Sequence, residues 1–472
     1  MLLLQKILCL LLLTGGTSKV PGAASAKVPG AAAAADRAPP PASWDAQLFL
    51  HSNATAAKFD ARCLDGSNGG LYFRPASSAA AATKWKFHFQ GGGWCTSAKD
   101  CLRRSTGLLG SSASWPPTLS AFWGGAAGFS GLMSAAVNET GDDVENPFGD
   151  WNFVWLAYCD GSSQTSDRDA PLRVQRGDGG GDGGGDGGGD GGGDGGGGGG
   201  GGGGDGVVAE LHMRGRALLD AHLHELEAAH AFLSSATEVV VSGTSAGGMS
   251  AFMHSSFLRS QLRAKGARLV AVPDAGFWWD TPTYGAPTEH KWLDSMAQAI
   301  VPGLWNATLR GGGNARCLGA PPSGDRAKCF SQPYAYGYGL EDVPTFVVQS
   351  LVDPANMGYC WGPPCAIKGN TPGTCTPAQL GDIAAYSAAL KGNITAAQQP
   401  FGARDGHFLT SCHQHEETCR QTDWWGISIG GHTMNSTFYT WYTQGGGAAG
   451  ASAADVAWPG DGSCHSGSHG NC

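Results

Sequence analysis

The stretch Val239-Val240-Val241-Ser242-Gly243-Thr244-Ser245-Ala246-Gly247-Gly248-Met249 decides the fold of this 472-residue chain. A β-branched run ends in a Gly-x-Ser-x-Gly turn and passes at once into a helical pattern. That is the layout of a nucleophile elbow: a buried strand delivers a serine onto a turn so tight that its neighbours must be glycine. The hydroxyl then stands at the positive end of the following helix. A plainer reading of the same residues is a strand-to-helix turn whose serine caps the helix. Both readings predict a strand into Ser245 and a helix out of it.

Other segments fit the same frame. Upstream, Lys84-Trp85-Lys86-Phe87-His88-Phe89-Gln90 alternates polar and apolar residues and runs into Gly91-Gly92-Gly93-Trp94-Cys95. Three glycines after a strand let backbone N–H groups turn toward a developing anion, although a simple flexible loop uses the same residues. Cys95 and Cys101 are close enough to clip the intervening loop. Asn146 to Gly161 gives a further buried strand, and Leu211, Leu218, Leu219, Leu223 and Leu226 predict a helix from Val207 to about Ser234. Ala267 to Val272 reads as a strand ending in Pro273-Asp274-Ala275-Gly276-Phe277. Pro344 to Val352 reads as another, ending in Asp353. Residues 280–340 are aromatic and rich in Gly and Pro, as lid segments are. Strands alternating with helices predict an α/β fold, with a doubly wound, mainly parallel sheet and helices on both faces.

Composition narrows the class. A net charge of −9 with no basic block gives no reason to expect nucleic acid. Sixteen Trp suit either carbohydrate recognition or core packing. Residues 1–26 read as a secretory signal peptide: the apolar run is short, and Ala24-Ser25-Ala26 fits a cleavage site. No later segment is apolar enough to span a membrane. Residues 27–43 form an Ala/Pro-rich leader, and 44–472 a single domain. Within it, 172–206 reads as a flexible insertion, nearly all Gly and Asp from Gly177. Five Asn-x-Ser/Thr sequons, at Asn53, Asn138, Asn306, Asn393 and Asn435, agree with export. Of the 14 cysteines, Cys9 leaves with the signal; the odd remainder predicts one thiol that is free or paired between chains. Cys-x₂-Cys pairs are absent, so no zinc site is expected.

A serine needs a base, and the base needs a carboxylate to hold its tautomer. In α/β-hydrolases these follow in the order Ser, Asp, His, each on a turn after a strand. Ser245, Asp353 and His415 meet that order. Helix capping by Asp353 is the alternative, and His413, His407 and His432 compete with His415 for the base.

The chain resembles the pectin acetylesterase family, which also contains the Notum-type palmitoleoyl-protein carboxylesterases. The matching stretches are Cys63-Leu64-Asp65-Gly66-Ser67, Gly91-Gly92-Gly93-Trp94-Cys95, Tyr158-Cys159-Asp160-Gly161 and Met213-Arg214-Gly215. Gly243 to Gly248, Asp274-Ala275-Gly276-Phe277, Asp353 after its strand, and Ser411-Cys412-x-x-His415 continue the series. The resemblance implies Ser245 as nucleophile, Asp353 as orienting acid and His415 as base. It implies an oxyanion hole from the amides of Gly93, Trp94 and Ala246, and no cofactor or metal. It further implies a secreted enzyme that deacetylates a pectin-like cell-wall or extracellular polysaccharide. A Notum-like deacylase acting on a protein is the rival within the family, and an inactive glycan-binding relative the rival outside it. Phe277-Trp278-Trp279 is bulkier than the family's usual stretch, which would suit a short acyl group or simple core packing. Acyl specificity, disulfide connectivity and oligomeric state are not legible in the sequence.

Overall fold

The computed structural model describes residues 45–122, 131–135, 146–175, 208–300, 304–307, 315–319, 326–340, 342–365, 367 and 373–455. The expected signal peptide, the whole of the leader and the Gly/Asp run itself lie outside these residues. In chain order the strands are β1 (Gln47–Leu50), β2 (Gly70–Arg74), β3 (Lys84–Phe89), β4 (Asn152–Leu156), β5 (Leu172–Gln175) and β6 (Val208–Leu211). They continue with β7 (Glu238–Thr244), β8 (Arg268–Asp274), β9 (Phe346–Ser350), β10 (Gly406–Thr410), β11 (Ser428–Ile429), β12 (His432–Thr433) and β13 (Ala453–Ala454). Nine of them form one sheet in the order β1-β2-β4-β3-β7-β8-β9-β10-β13. From β4 to β13 all neighbours are parallel, and β2 runs antiparallel to both β1 and β4. The expected α/β, mainly parallel sheet is the observed one.

The runs Val239–Val241, Leu269–Val272 and Phe346–Val348 are apolar without interruption because both faces of the sheet are covered there. Val240 packs in a cluster with Val270, Val272, Phe346, Val348 and Phe408. Its neighbours Val239 and Val241 belong to a different cluster, with Leu269, Ala271, Val347 and Leu409. The period-two pleat thus sends alternate residues of one apolar run to opposite faces. The helices Gly215–His230 and Ala246–Gln261 contribute Leu219, Leu223, Met249 and Phe252 to one cluster, and Met434–Gln444 contributes Phe438 and Trp441 to the other. Seven tryptophans, among them Trp85, Trp155 and Trp278, are fully buried, so much of the high Trp content is core.

Two expectations need correction. The helix expected from Val207 starts at Gly215. Residues Val208–Leu211 instead pair antiparallel with Leu172–Gln175, from Leu172↔Leu211 to Gln175↔Val208. Leu211 is buried and Val208 is 47% exposed, as alternation along a strand requires. The first four residues of the expected flexible insertion are therefore ordered, as one side of a ribbon whose other side resumes after the Gly/Asp run. The region 280–340 is also more regular than its composition suggests. It carries the helices Lys291–Ile300 and Gln332–Gly339 and the disulfide Cys317–Cys329.

Candidate active site

Five segments leave the sheet at one edge. Phe89 pairs with Gly243, Thr244 with Asp274, Asp274 with Val348, and Ser350 with Thr410. The Gly91–Cys95 loop, Ser245, Asp274, Asp353 and the loop 411–419 all follow from these strand ends. Ligands bind at this edge of open α/β sheets.

Ser245 sits at φ 54°, ψ −119°, left-handed backbone that an L-residue rarely adopts. Tight packing forces the turn: a Cβ on Gly243 would lie 2.1 Å from Gly247 O, and one on Gly247 would lie 2.0 Å from Phe89 O. Ser245 N donates to Asp274 O at 2.9 Å. The hydroxyl does not cap its helix, which removes the plainer reading of the elbow; among the described residues it makes no hydrogen bond at all, including to His415. Such bonds are often formed only once substrate is bound.

Asp353 is fully buried and divides its oxygens. Oδ1 accepts from Ala355 N (2.8 Å) and Asn356 N (3.0 Å), so the capping reading is correct. Oδ2 accepts from His415 Nδ1 at 2.7 Å and from Gln349 Nε2 at 3.2 Å. Since a carboxylate only accepts, Nδ1 carries the proton, and in the neutral ring Nε2 is the basic nitrogen. Burial is the largest influence on His415 and opposes its charge. The Asp353 charge and hydrogen bond, aided by Glu416 and Asp274, overcome it and lift the pKa to about 9. Of the competing histidines, His407 bonds Gln398 from β10 and His432 is exposed on β12. Asp353 therefore selects His415.

The loop carrying His415 is tied along its length. Ser350 Oγ donates to Cys412 O, Arg420 Nη2 donates to His415 O (2.9 Å), and Glu417 N and Thr418 N donate to Asp274 Oδ2. Cys412 and Cys419 are both disulfide-bonded.

On the other side of the elbow, Gly93 takes φ 63° and its carbonyl accepts from Tyr158 Oη at 2.9 Å. Among the described residues no acceptor engages the amides of Gly93, Trp94 or Ala246. Trp94 Nε1 donates to Ser163 Oγ, which donates to Ala246 O, each at 2.7 Å. Ser163 thus links the glycine loop to the residue after the elbow. Cys95 and Cys101 form the expected disulfide, and among the described cysteines the free thiol is the buried Cys360, its pKa raised chiefly by burial. An aromatic wall stands beside the site: the ring of Trp278, fully buried, lies 4.9 Å from Trp94, 5.2 Å from Trp292 and 6.3 Å from His415.

Sequence reasoning missed Gln349, Asp274 and Ser163. Gln349 had a signal, a polar residue inside the apolar run Phe346-Val347-Val348, because a buried amide requires a partner. Asp274 had the same signal as Asp353, a carboxylate at the end of a buried strand. Among the described residues no group of three His, Cys, Asp or Glu side chains could hold a metal, and no helix is long and apolar enough to cross a membrane.

The profile of the family described as Pectinacetylesterase matches residues 44–175 and 203–465, on either side of most of the Gly/Asp run. Pectin acetylesterase 11 of Arabidopsis thaliana is 26% identical over 376 residues, covering 77% of this chain and 78% of the relative. The palmitoleoyl-protein carboxylesterase Notum of Schmidtea mediterranea is 25% identical over 408 residues, covering 84% of this chain and 63% of the relative. Among solved structures, the Wnt deacylase Notum from Drosophila superposes with a TM-score of 0.60 at 20% identity, covering 84% of this chain and 93% of that one.

Proposed function

The chain belongs to the pectinacetylesterase family, and on that basis we propose that it is a secreted serine carboxylic ester hydrolase that removes O-acetyl groups from a cell-wall or extracellular polysaccharide. The observation that carries this reading is the 2.7 Å contact of His415 Nδ1 with Asp353 Oδ2, at the strand edge where Ser245 occupies its strained turn.

In the proposed reaction Ser245 Oγ attacks the ester carbonyl while His415 Nε2 takes its proton. The oxyanion sits on the amides of Gly93, Trp94 and Ala246. Collapse breaks the bond to the sugar oxygen, which leaves with the proton from His415. Water, deprotonated by the same nitrogen, then attacks the acetyl-serine and releases acetate and free Ser245. Asp353 holds the ring and stabilises the imidazolium in both halves.

The Notum relatives favour a second reading, removal of a fatty acyl group from a protein. Trp278 speaks for the acetyl reading, because its indole, packed against Trp94 with its ring centroid 6.3 Å from that of His415, takes up volume near the proposed base. The disulfides agree with secretion. The experiment is acetate release from acetylated pectin, with Ser245→Ala as control, beside p-nitrophenyl acetate and octanoate. Acetate release lost in Ser245→Ala supports the proposal, and a strong octanoate preference transfers it to the deacylase reading. No labelling of folded protein by a fluorophosphonate would leave a glycan-binding relative.

A further inference from the structure

Asp274, at the end of β8, takes no part in the proposed reaction, yet its backbone touches the nucleophile and its carboxylate holds the loop of the base. Asp274 accepts from Ser245 N through its backbone carbonyl (2.9 Å). Its side-chain Oδ2 accepts from Glu417 N (2.7 Å), Thr418 N (2.6 Å) and Thr418 Oγ1 (2.8 Å), in the loop that carries His415. We infer that Asp274 is a positioning residue that fixes the histidine loop in register with the nucleophile. This rests on the proposed roles of Ser245 and His415.

The loop needs such a tie. Glu416, directly after His415, sits at φ 62°, a conformation disfavoured for its side chain and maintained only by surrounding contacts. The loop also touches the nucleophile's surroundings. The point where a Gly91 Cβ would lie is 2.7 Å from Glu416 Oε1 and 3.2 Å from Ser245 Cβ. A shift of 416–418 by an ångström would therefore be felt at Ser245 and at the start of the glycine loop.

Stability alone is a poor account of Asp274. It is fully buried, with three neutral donors on one oxygen and no partner on Oδ1. Burying a carboxylate in this way is costly, and groups left incompletely satisfied tend to mark functional demands. Burial, working against those three hydrogen bonds, raises its pKa to about 6, so it is charged at neutral pH. The titratable groups that interact with it are Glu416, Glu417 and His415. Glu417 is pushed up to about 8, by burial first and the Asp274 charge second. Asp274 thus adds negative charge near an imidazole that becomes an imidazolium during catalysis.

Three variants separate the tie from the charge. Asp274→Ala removes both, Asp274→Asn keeps an acceptor for the loop, and Thr418→Val removes one donor and leaves the carboxylate. Rates are taken per fluorophosphonate-titrated site, so that misfolded protein does not count. Asp274→Ala is expected to lower kcat on p-nitrophenyl acetate roughly 10- to 100-fold with KM little changed. Asp274→Asn is expected to lose less and to move the acid limb of the pH–rate profile to lower pH; Thr418→Val should fall between Asp274→Asn and wild type. The inference is overturned if all three retain wild-type kcat per site with an unmoved limb. If the wild type itself hydrolyses no ester, the functional reading fails separately. The positioning inference is then decided by NMR of isotope-labelled histidine: loss of the hydrogen-bonded His415 Nδ1–H resonance in Asp274→Ala, with its retention in Asp274→Asn, supports it, and an unchanged resonance in Asp274→Ala sinks it.

Discussion

The loop after β3 and the loop after β10 lie on either side of the elbow and contribute opposite kinds of chemistry. Gly91–Cys95 is expected to act through bare backbone: its amides work because no side chain stands in front of them. Residues 411–419 are expected to act through a side chain: the His415 ring is held by Asp353 after β9, and the backbone of its loop by Asp274 on β8. The glycine loop is fixed by the short Cys95–Cys101 disulfide and by the Tyr158 hydroxyl on Gly93 O, 65 residues away. The histidine loop is fixed from a distance, with ties of 62 and 143 residues' separation. Both loops are thus held by long-range ties; what differs is that the first carries a signal local in sequence, whereas the choice of ring in the second is non-local and exists only once the sheet has formed.

The largest effect should come from the non-local half. His415→Ala is expected to lower kcat by roughly 10⁴-fold or more, whereas His413→Ala, on the same loop, should retain most activity. Steady-state rates of the two variants check this, and the reverse pattern would break the assignment of the base. Next comes Gly91→Ala. Its new methyl would meet Glu416 Oε1 at 2.7 Å and Thr244 O at 2.8 Å, with Ser245 Cβ 3.2 Å away. The loop must then move, and a misplaced oxyanion donor costs on the order of 10²–10³ in kcat. A Gly91→Ala enzyme with wild-type kcat would show that the glycine loop is only a connection.

The same division explains what could be read from the sequence. The elbow, its strand and the glycine loop were legible because each is local: β-branched run, Gly-x-Ser-x-Gly, helix. The α/β fold followed from repeating that pattern. Asp353 was legible as a strand end, but its two roles were not separable, since one oxygen caps the helix and the other holds His415. The choice among four histidines could not be derived from spacing, because proximity to Asp353 is a property of β9 lying beside β10. Val207 was misread for a related reason. Leu211 fits a helical stripe equally well, and only pairing with Leu172 across the Gly/Asp run makes the segment a strand.

A smaller effect tests how local the glycine loop's support is. Replacing Cys95 and Cys101 by Ser opens a link spanning 6 residues, for which loop entropy predicts a loss of about 2 kcal/mol in unfolding free energy. The urea midpoint measures it. Activity should fall less than in Gly91→Ala, because Cys95 N still donates to Gly161 O and Trp305 Nε1 still donates to Cys95 O. A collapse of kcat to the Gly91→Ala level would mean that the disulfide, and not these bonds, sets the loop.

The smallest effect is a shift along the pH axis, and it belongs to the histidine loop alone. His415 has its pKa raised to about 9 in the fold, against an ordinary value near 6.5. Its pairing with Asp353 therefore contributes stability that is fully present below about 6.5 and is lost as pH rises through about 9. Catalysis runs the other way, since the base must be neutral: kcat/KM should climb over that same window while the pair's contribution to stability declines. Asp353→Asn removes the charge that raises the pKa, so its acid limb should lie at lower pH, on a much reduced rate. Gly91→Ala should lose rate with a smaller shift of the limb, because nothing in Gly91–Trp94 titrates and its methyl reaches His415 only through Glu416, a lesser contributor than Asp353 to the raised pKa. Profiles of the three proteins measured together thus separate the two loops: a limb that moved as far in Gly91→Ala as in Asp353→Asn would show that the glycine loop acts through His415 after all.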